Sequence, residues 1–559
     1  MRIQYLASGS IFLHLTNAFC PVYGPSFPAP TSLSQSSVIK SAFSDLTAAL
    51  NKAFETGNSS HGPNDKVSAN AIQVFSIDED APLYEFYREG SLLSSPGTKK
   101  IDGDSIWRVG SISKLITVYM TLAELGDGVW DTKITDAIPE LKGNEKWKED
   151  PVRHVNWDEV TLGALAGHLA GVAQSLTVQL GSLYQNPTPY GFPVLDSTEL
   201  PPCILPGCDR KAFFEALDLR QPIFLPNTSP VYSSVGIVLL AFALENLSGK
   251  TYQDMLQSVL IDRLGLTGTS YSKPADDSRG VIPYNLSSSL WTYDLSELTP
   301  AGGLYSSLND LAKFGRSILR STILDENTTR GWLKPITFNG NLYSATGRTW
   351  EIYRVADAVP DQVIDFYSKG GDITPYKTFI AVVPDLKMGF AAAVAGTGSH
   401  RWMDGLLIDA VFPAVQEAAR QQAHAAYGGT YKATNGLNSS LTLASEAGKS
   451  GLLISEWISN GTDFISITEA TQGSSRDVRL FPTNVERKSG DGKEVAWRVA
   501  PDLLEFKDDL PFSACRTWFG IDSQTYGNHA VDEMIFQLDG NGKAVKVSLP
   551  AFKVGLERQ

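Results

Sequence analysis

The sequence is poor in the residues that small, metal-bound or membrane-spanning proteins rely on. Four cysteines in 559 residues are too few for a disulfide-built scaffold. They also lack the paired close spacings of a zinc site, and the seven histidines are scattered, so no metal and no cofactor are expected. Charged residues make up only 19% of the chain, with 61 acids against 47 bases and a formal charge of −14. Such a surface repels phosphate backbones and anionic lipid, which argues against nucleic acid as a partner. No apolar run reaches the roughly 20 residues that a bilayer requires, so no stable membrane anchor is expected. The 48 glycines and 30 prolines follow no period, which excludes collagen, and there is no internal repeat or low-complexity tract. What is present is a 42% hydrophobic chain of a length suited to two to four domains. Composition points to a large soluble globular protein and leaves its oligomeric state open.

Residues 1–18 read as a secretory signal: Arg2 supplies a short basic start, an apolar run extends from Tyr5 to Leu15, and Thr16-Asn17-Ala18 offers small residues for cleavage. Seven Asn-x-Ser/Thr sequons, at Asn58, Asn227, Asn246, Asn285, Asn327, Asn438 and Asn460, have a use only in a glycosylating pathway. The even number of cysteines fits the same address. Cys203 and Cys208 lie in one Pro/Gly-rich loop that a local disulfide would staple, and Cys20 and Cys515 would then pair across almost the whole chain. Four cysteines allow three connectivities, so the pairing is an expectation. Secretion, or residence in the secretory pathway, is the expected location.

The signal is followed by a leader and an N-terminal helix (19–69), with apolar residues at Val38, Ile39, Phe43, Leu46, Leu50 and Phe54. Strand patterns begin at Ala71–Ile77 and Tyr84–Tyr87, a buried helix is expected over 112–125, and residues 158–320 read as mostly helical. Phe379–Pro384 and Met388–Val394 read as a hairpin turning at Asp385-Leu386-Lys387, and a helix from about Arg401 to Ala425 closes a body spanning 70–425. From residue 426 to 559 short alternating segments recur with turn residues every ten or so positions, as in a small antiparallel β-barrel or sandwich.

Three Ser-x-x-Lys patterns occur, at Ser37–Lys40, Ser111–Lys114 and Ser270–Lys273, so the pattern alone says little. Pro274 disfavours a helix that would carry Lys273 over Ser270. Ser37 opens a surface-type helix before any sheet. Ser111 follows the apolar run Ile106–Val109 and Gly110, then opens a largely buried helix on which Lys114 shares its face. A helix N-terminus adds partial positive charge and free N–H groups, and burial would lower the Lys114 pKa towards a proton acceptor's. An N-capping serine with a solvent-reaching lysine is the competing interpretation. Tyr232-Ser233-Ser234 and Lys369-Gly370-Gly371 are equally weak alone; the triplet Tyr-Ser-Ser recurs at Tyr305.

In this order and spacing the motifs resemble those of the serine β-lactamase/penicillin-binding-protein superfamily. The similarity is closest to its class C β-lactamase, esterase and D-aminopeptidase branch, where the second motif is Tyr-x-Asn/Ser and the third Lys/His-x-Gly. It runs through Val109–Lys114, His168–Gly171, Tyr232–Gly236, Glu245–Lys250, Leu264–Thr269, Ala301–Ser307 and Lys369–Gly371. The long form with a signal and a β-rich tail resembles secreted fungal β-lactamase-like proteins. The resemblance implies an α/β (α+β) fold: a central antiparallel sheet flanked by helices, an all-helical lobe, and an added C-terminal antiparallel β domain. It implies Ser111 as the acylated nucleophile, with Lys114 and Tyr232 relaying its proton and either of them as the general base. It further implies an oxyanion hole from the N–H groups of Ser111 and Asp372, and substrate contacts from Ser234, Lys369, Gly371, Asp372 and Tyr305. Ser234 stands where class C enzymes have Asn, Gly370 replaces a Thr/Ser, and Asp372 adds a negative side chain. These departures favour ester or amide hydrolysis, esters first, over β-lactam hydrolysis. D-amino-acid peptidase, an enzyme tailoring a secondary metabolite by acyl transfer or hydrolysis, and a silent binding protein on the same fold are the alternatives.

Overall fold

The computed structural model describes residues 22–176, 187–196, 199, 202–203, 208–356, 358–359, 362–472, 474–503 and 517–559. The expected signal segment, Cys20 and Cys515 lie outside the described residues. The chain divides into two compact units, one made of residues 31–358 and 364–414, the other of 415–559 with the described parts of 1–30 and 359–363.

The first unit is built on an eight-stranded antiparallel sheet. Its strands are β1 (Ala69–Ser76), β2 (Tyr84–Arg88), β5 (Thr337–Phe338), β6 (Ser344–Thr346), β7 (Glu351–Val355), β8 (Ile364–Ile373), β9 (Tyr376–Val383) and β10 (Met388–Ala395); β3 (Ile106–Arg108) and β4 (Tyr305–Ser307) form a separate pair. The spatial order is β2-β1-β10-β9-β8-β7-β6-β5. β1 and β10 are buried at every position, as expected for strands covered on both faces. The hairpin read from the sequence is present, turning through Pro384–Leu386 with Lys387 in the left-handed region.

Helix α1 (Ser37–Thr56) belongs to this unit: Phe43 stacks on Tyr84 of β2 at 4.9 Å, and Phe54 meets Trp402 edge-on at 5.2 Å. The N-terminal helix is therefore part of the body, because its apolar stripe is buried on the sheet. Helices α2 (Ile112–Leu125) and α3 (Ser234–Ser248) pack together in the helical part. Every residue from Ile112 to Leu122 and from Val235 to Leu244 is buried, which marks both as interior helices. Helix α4 (Leu308–Leu319) covers β1 and β10.

In the second unit, β11 (Gly429–Ala433), β12 (Ser440–Ala444), β13 (Leu452–Ser459), β14 (Ser474–Ser489), β15 (Gly492–Leu503), β16 (Glu533–Leu538), β17 (Ala544–Leu549) and β18 (Val554–Arg558) pair antiparallel in the order β12-β11-β18-β17-β16-β15-β14-β13. β12 also pairs with β13, so the sheet closes on itself as a barrel and leaves no free edge among these eight strands. Inward positions alternate, as in Val495, Trp497 and Val499 or Met534, Phe536 and Leu538. The two units divide within α5 (Arg401–Tyr427), whose last turns place Ala419, Ala423 and Tyr427 in the barrel core. A change of sequence texture marks the first strand, whereas the division follows the first packed residues.

Among the described residues no helix is long and apolar enough to cross a membrane, and no cluster of His, Cys, Asp or Glu could hold a metal. Cys203 and Cys208 form a disulfide. All seven sequon asparagines are exposed, although the Asn246 side-chain amide donates to the Ala137 carbonyl at 2.9 Å.

Candidate active site

Ser111 is the N-cap residue of α2, yet its side chain makes no capping bond. The hydroxyl instead accepts a hydrogen bond from Lys114 Nζ at 2.8 Å, one helical turn on. Lys114 is 1% exposed and also donates to the Ala301 carbonyl at 2.5 Å. A capping serine with a solvent-reaching lysine is thus ruled out by geometry. The other patterns do not rebuild this arrangement: Ser37 is exposed at the start of α1, and Lys273 is paired with Asp277 at 2.5 Å.

Tyr232 precedes α3, whose N-cap is Ser233, the Ser233 hydroxyl accepting from the Gly236 N–H at 2.8 Å. The Tyr232 side chain sits beside both lysines, the ammonium groups of Lys114 and Lys369 each lying 5.0 Å from its ring centre. Burial opposes ionisation of Tyr232, but the two cations outweigh it and hold the phenol below its ordinary pKa. Burial, with help from the Lys369 charge, lowers the Lys114 pKa to about 8. Burial alone would also lower that of Lys369, but the carboxylate of Glu351 and the Tyr232 hydroxyl hold it above the ordinary lysine value. The result is a serine hydroxyl facing two groups whose pKa values have both moved towards neutrality, the pattern of a nucleophile beside its base.

The backbone around Ser111 is equally specific. β8 passes so close that a Cβ on Gly371 would lie 2.1 Å from the Val109 carbonyl oxygen and 3.1 Å from the Ser111 nitrogen. Gly110, at φ +52, would put a Cβ 2.8 Å from the Asp372 nitrogen. Only glycine fits at either position. Thr378, opposite Gly371 on β9, fixes the approach by donating to the Val109 carbonyl at 2.8 Å. β8 thereby runs against the backbone of Gly110 and Ser111, with the Asp372 nitrogen close to Gly110 and Gly371 close to the Ser111 nitrogen.

Of the other expected contact residues, Ser234 is half-buried on the first turn of α3, its N–H donating to the Gln174 carbonyl at 2.8 Å. Asp372 is exposed, its carboxylate accepting from Thr374 at 3.0 Å. Tyr305 does not join them: it is 2% exposed, and its hydroxyl donates to the Trp291 carbonyl at 2.5 Å. A repeated triplet gave no warning that this tyrosine packs in the core while Tyr232 lines the site.

Two residues of the cluster had no assigned role in the sequence. Glu351, at the start of β7, pairs with Lys369 through one carboxylate oxygen and accepts the Gly370 N–H at 2.9 Å through the other. No motif marks it; only the β7–β8 register, with Glu351 opposite Ser368, brings it there. His168 lies with its ring 4.7 Å from that of Tyr232. Its Nδ1 accepts the Ser233 N–H at 3.1 Å and its Nε2 faces the Thr349 hydroxyl at 3.0 Å. Burial, then the charges of Lys369 and Lys114, lower its pKa to about 3, so the imidazole stays neutral. The signal for it was present, in the run His168–Gly171.

A family model described as Beta-lactamase matches residues 85–409, and one described as Beta-lactamase-like-like, C-terminal domain, matches residues 419–559. The chain belongs to the beta-lactamase family. Within it, a beta-lactamase-like protein of Arthroderma benhamiae is 30% identical over 96% of this chain and 95% of its own length. A probable hydrolase, clz13, of Cochliobolus lunatus is 26% identical over 92% of this chain and 89% of its own. A solved class C beta-lactamase, 14% identical, superposes on 66% of this chain and 96% of its own with a TM-score of 0.49. The family is one of serine hydrolases, and its members act on small molecules.

Proposed function

We propose that this family member is a secreted serine hydrolase that cleaves esters, and less readily amides, through an acyl-enzyme on Ser111. The observation that carries the reading is the hydrogen bond from buried Lys114 to the Ser111 hydroxyl, with the Tyr232 ring 5.0 Å from the same ammonium. Deprotonated Tyr232 or neutral Lys114 takes the Ser111 proton as the oxygen attacks the acyl carbon. The N–H groups of Ser111 and Asp372 hold the resulting oxyanion. Collapse expels the alcohol, which receives the proton from Tyr232, and water then releases the acid by the reverse sequence. The naming of two relatives as probable hydrolases agrees with this. Ester preference is supported by Ser234, which stands where an Asn would contact a substrate amide, and by Gly370, which lacks the hydroxyl that would contact a substrate carboxylate. Export is supported by the Cys203–Cys208 disulfide and by the exposure of every sequon asparagine.

The test is labelling with a fluorophosphonate and turnover of a chromogenic short-chain ester, each compared with Ser111→Ala. Labelling of the unaltered protein and none of the variant is expected, with turnover falling by about 10³-fold or more. Absent labelling of the unaltered protein, or equal labelling of the variant, overturns the reading.

A further inference from the structure

Lys369 is the natural anion receptor of this site, a cation 1% exposed and 5.0 Å from the Tyr232 ring centre. An ammonium carries three N–H donors and no more. Two are taken, one by the Glu351 carboxylate and one by the Gly370 carbonyl at 2.8 Å, and the Tyr232 ring lies beside the same ammonium. The charge is matched by Glu351 in the same contact. The other Glu351 oxygen occupies the Gly370 N–H, at 2.9 Å, so the neighbouring backbone donor is used as well. Gly370 brings no hydroxyl, and a Cβ there would meet nothing nearer than that same carboxylate oxygen, at 3.4 Å. Beyond Gly371, Asp372 adds an exposed carboxylate next to the backbone that faces Ser111. A substrate carboxylate entering here would find two of the three Lys369 donors and the Gly370 N–H taken, and the Glu351 carboxylate beside it.

We propose that Glu351 is a specificity-determining residue: by engaging Lys369 and Gly370 it turns away acyl compounds that carry a free carboxylate near the scissile bond and leaves the site to uncharged ones. The proposal rests on the acyl-enzyme reading above. It uses exclusion, which separates substrates as effectively as attraction does.

The test compares 3-acetoxybenzoate with its methyl ester, two acetate esters that differ by one carboxylate charge on the leaving group, each rate divided by its hydroxide-catalysed rate. The unaltered protein is expected to favour the methyl ester in kcat/KM by about tenfold or more. Glu351→Gln, which keeps shape and loses charge, and Glu351→Ala are both expected to reduce that preference by about tenfold, whatever happens to the absolute rates. Fluorophosphonate titration of active sites normalises each variant for correctly folded protein. If the methyl ester is cleaved and the preference stays within about twofold of the original in both variants, the Glu351 assignment falls and the acyl-enzyme reading stands. An unaltered protein that cleaves both esters equally well overturns the assignment in the same way. If it cleaves neither ester and takes no fluorophosphonate, the acyl-enzyme reading falls and this inference with it.

Discussion

The two units bury different kinds of side chain. The barrel's interior is apolar and aromatic, with Trp497, Phe536, Tyr431 and Tyr427 in mutual ring contact, and Arg479 is the one charged residue buried there among the described residues. The body buries Arg108, Lys114, His168, Asp310, Arg316, Lys369 and Asp404. Taking ionisable groups out of water is costly unless each is partnered, and three of the seven, Lys114, His168 and Lys369, lie against Tyr232 beside Ser111. By the same contrast, the barrel is optimised as a core. Substitutions that exploit this difference should separate stability from activity.

The largest separation is expected in the barrel. Trp497 is 1% exposed, with Tyr427 at 4.7 Å and Phe536 at 5.9 Å. Trp497→Ala should destabilise the barrel by about 3–5 kcal/mol, visible as an earlier thermal transition, while the rate of fluorophosphonate labelling below that transition stays within about twofold. A parallel fall in labelling would end the division of labour. The opposite result is expected at Lys114. Its pKa is about 8 when folded against 10.5 for a free lysine, so between those values the unfolded chain binds more protons and stability rises with pH. At neutral pH the buried ammonium therefore costs roughly 3 kcal/mol, at 1.36 kcal/mol per pH unit. Lys114→Met should raise Tm by a few degrees at pH 7 and abolish ester turnover; a lowered Tm would show that the lysine is part of the core's stability.

The same contrast explains what could be read from the sequence. Alternation at Val495–Val499, the hairpin around Asp385 and the buried helix after Ser111 follow from hydrophobic periodicity, so both architectures were legible. So was the Ser111–Lys114 pair, since i and i+3 on one helix need no tertiary information. Tyr305 was misjudged because a triplet does not reveal which of two tyrosines faces a core. Glu351 was invisible because strand register between β7 and β8 brings it to Lys369, and register is set by the whole sheet. The division inside α5 was hidden because helical texture continues across it.

A smaller effect discriminates within the charge cluster itself. The activity of unaltered protein should rise with pH along a limb near 8, as the Lys114–Tyr232 pair loses a proton. The Lys369 charge lowers both groups, and Glu351 raises both. Lys369→Gln should therefore move the limb upwards, and Glu351→Gln downwards, each by about one pH unit, or 1.36 kcal/mol. Because the signs hold for either base, movement in the same direction would show that the cluster does not set the limb.

The smallest expected effect belongs to His168, which meets no substrate in the proposed chemistry and acts through Tyr232. Its backbone lies at φ +59, a conformation costly for a residue with a side chain, and its neutral ring is held between the Ser233 N–H and the Thr349 hydroxyl. That arrangement fixes one face of the Tyr232 ring without adding a third charge to the two lysines. His168→Asn retains an acceptor for the Ser233 N–H and removes the ring. It should lower kcat by about tenfold with little change in KM, since only the orientation of the base is loosened. His168→Phe restores a ring but leaves the Ser233 N–H unpaired, at about 1–3 kcal/mol. It should lose stability and recover part of kcat. If both variants lose kcat and stability in proportion, His168 is a core residue of the body and the positioning role is refuted.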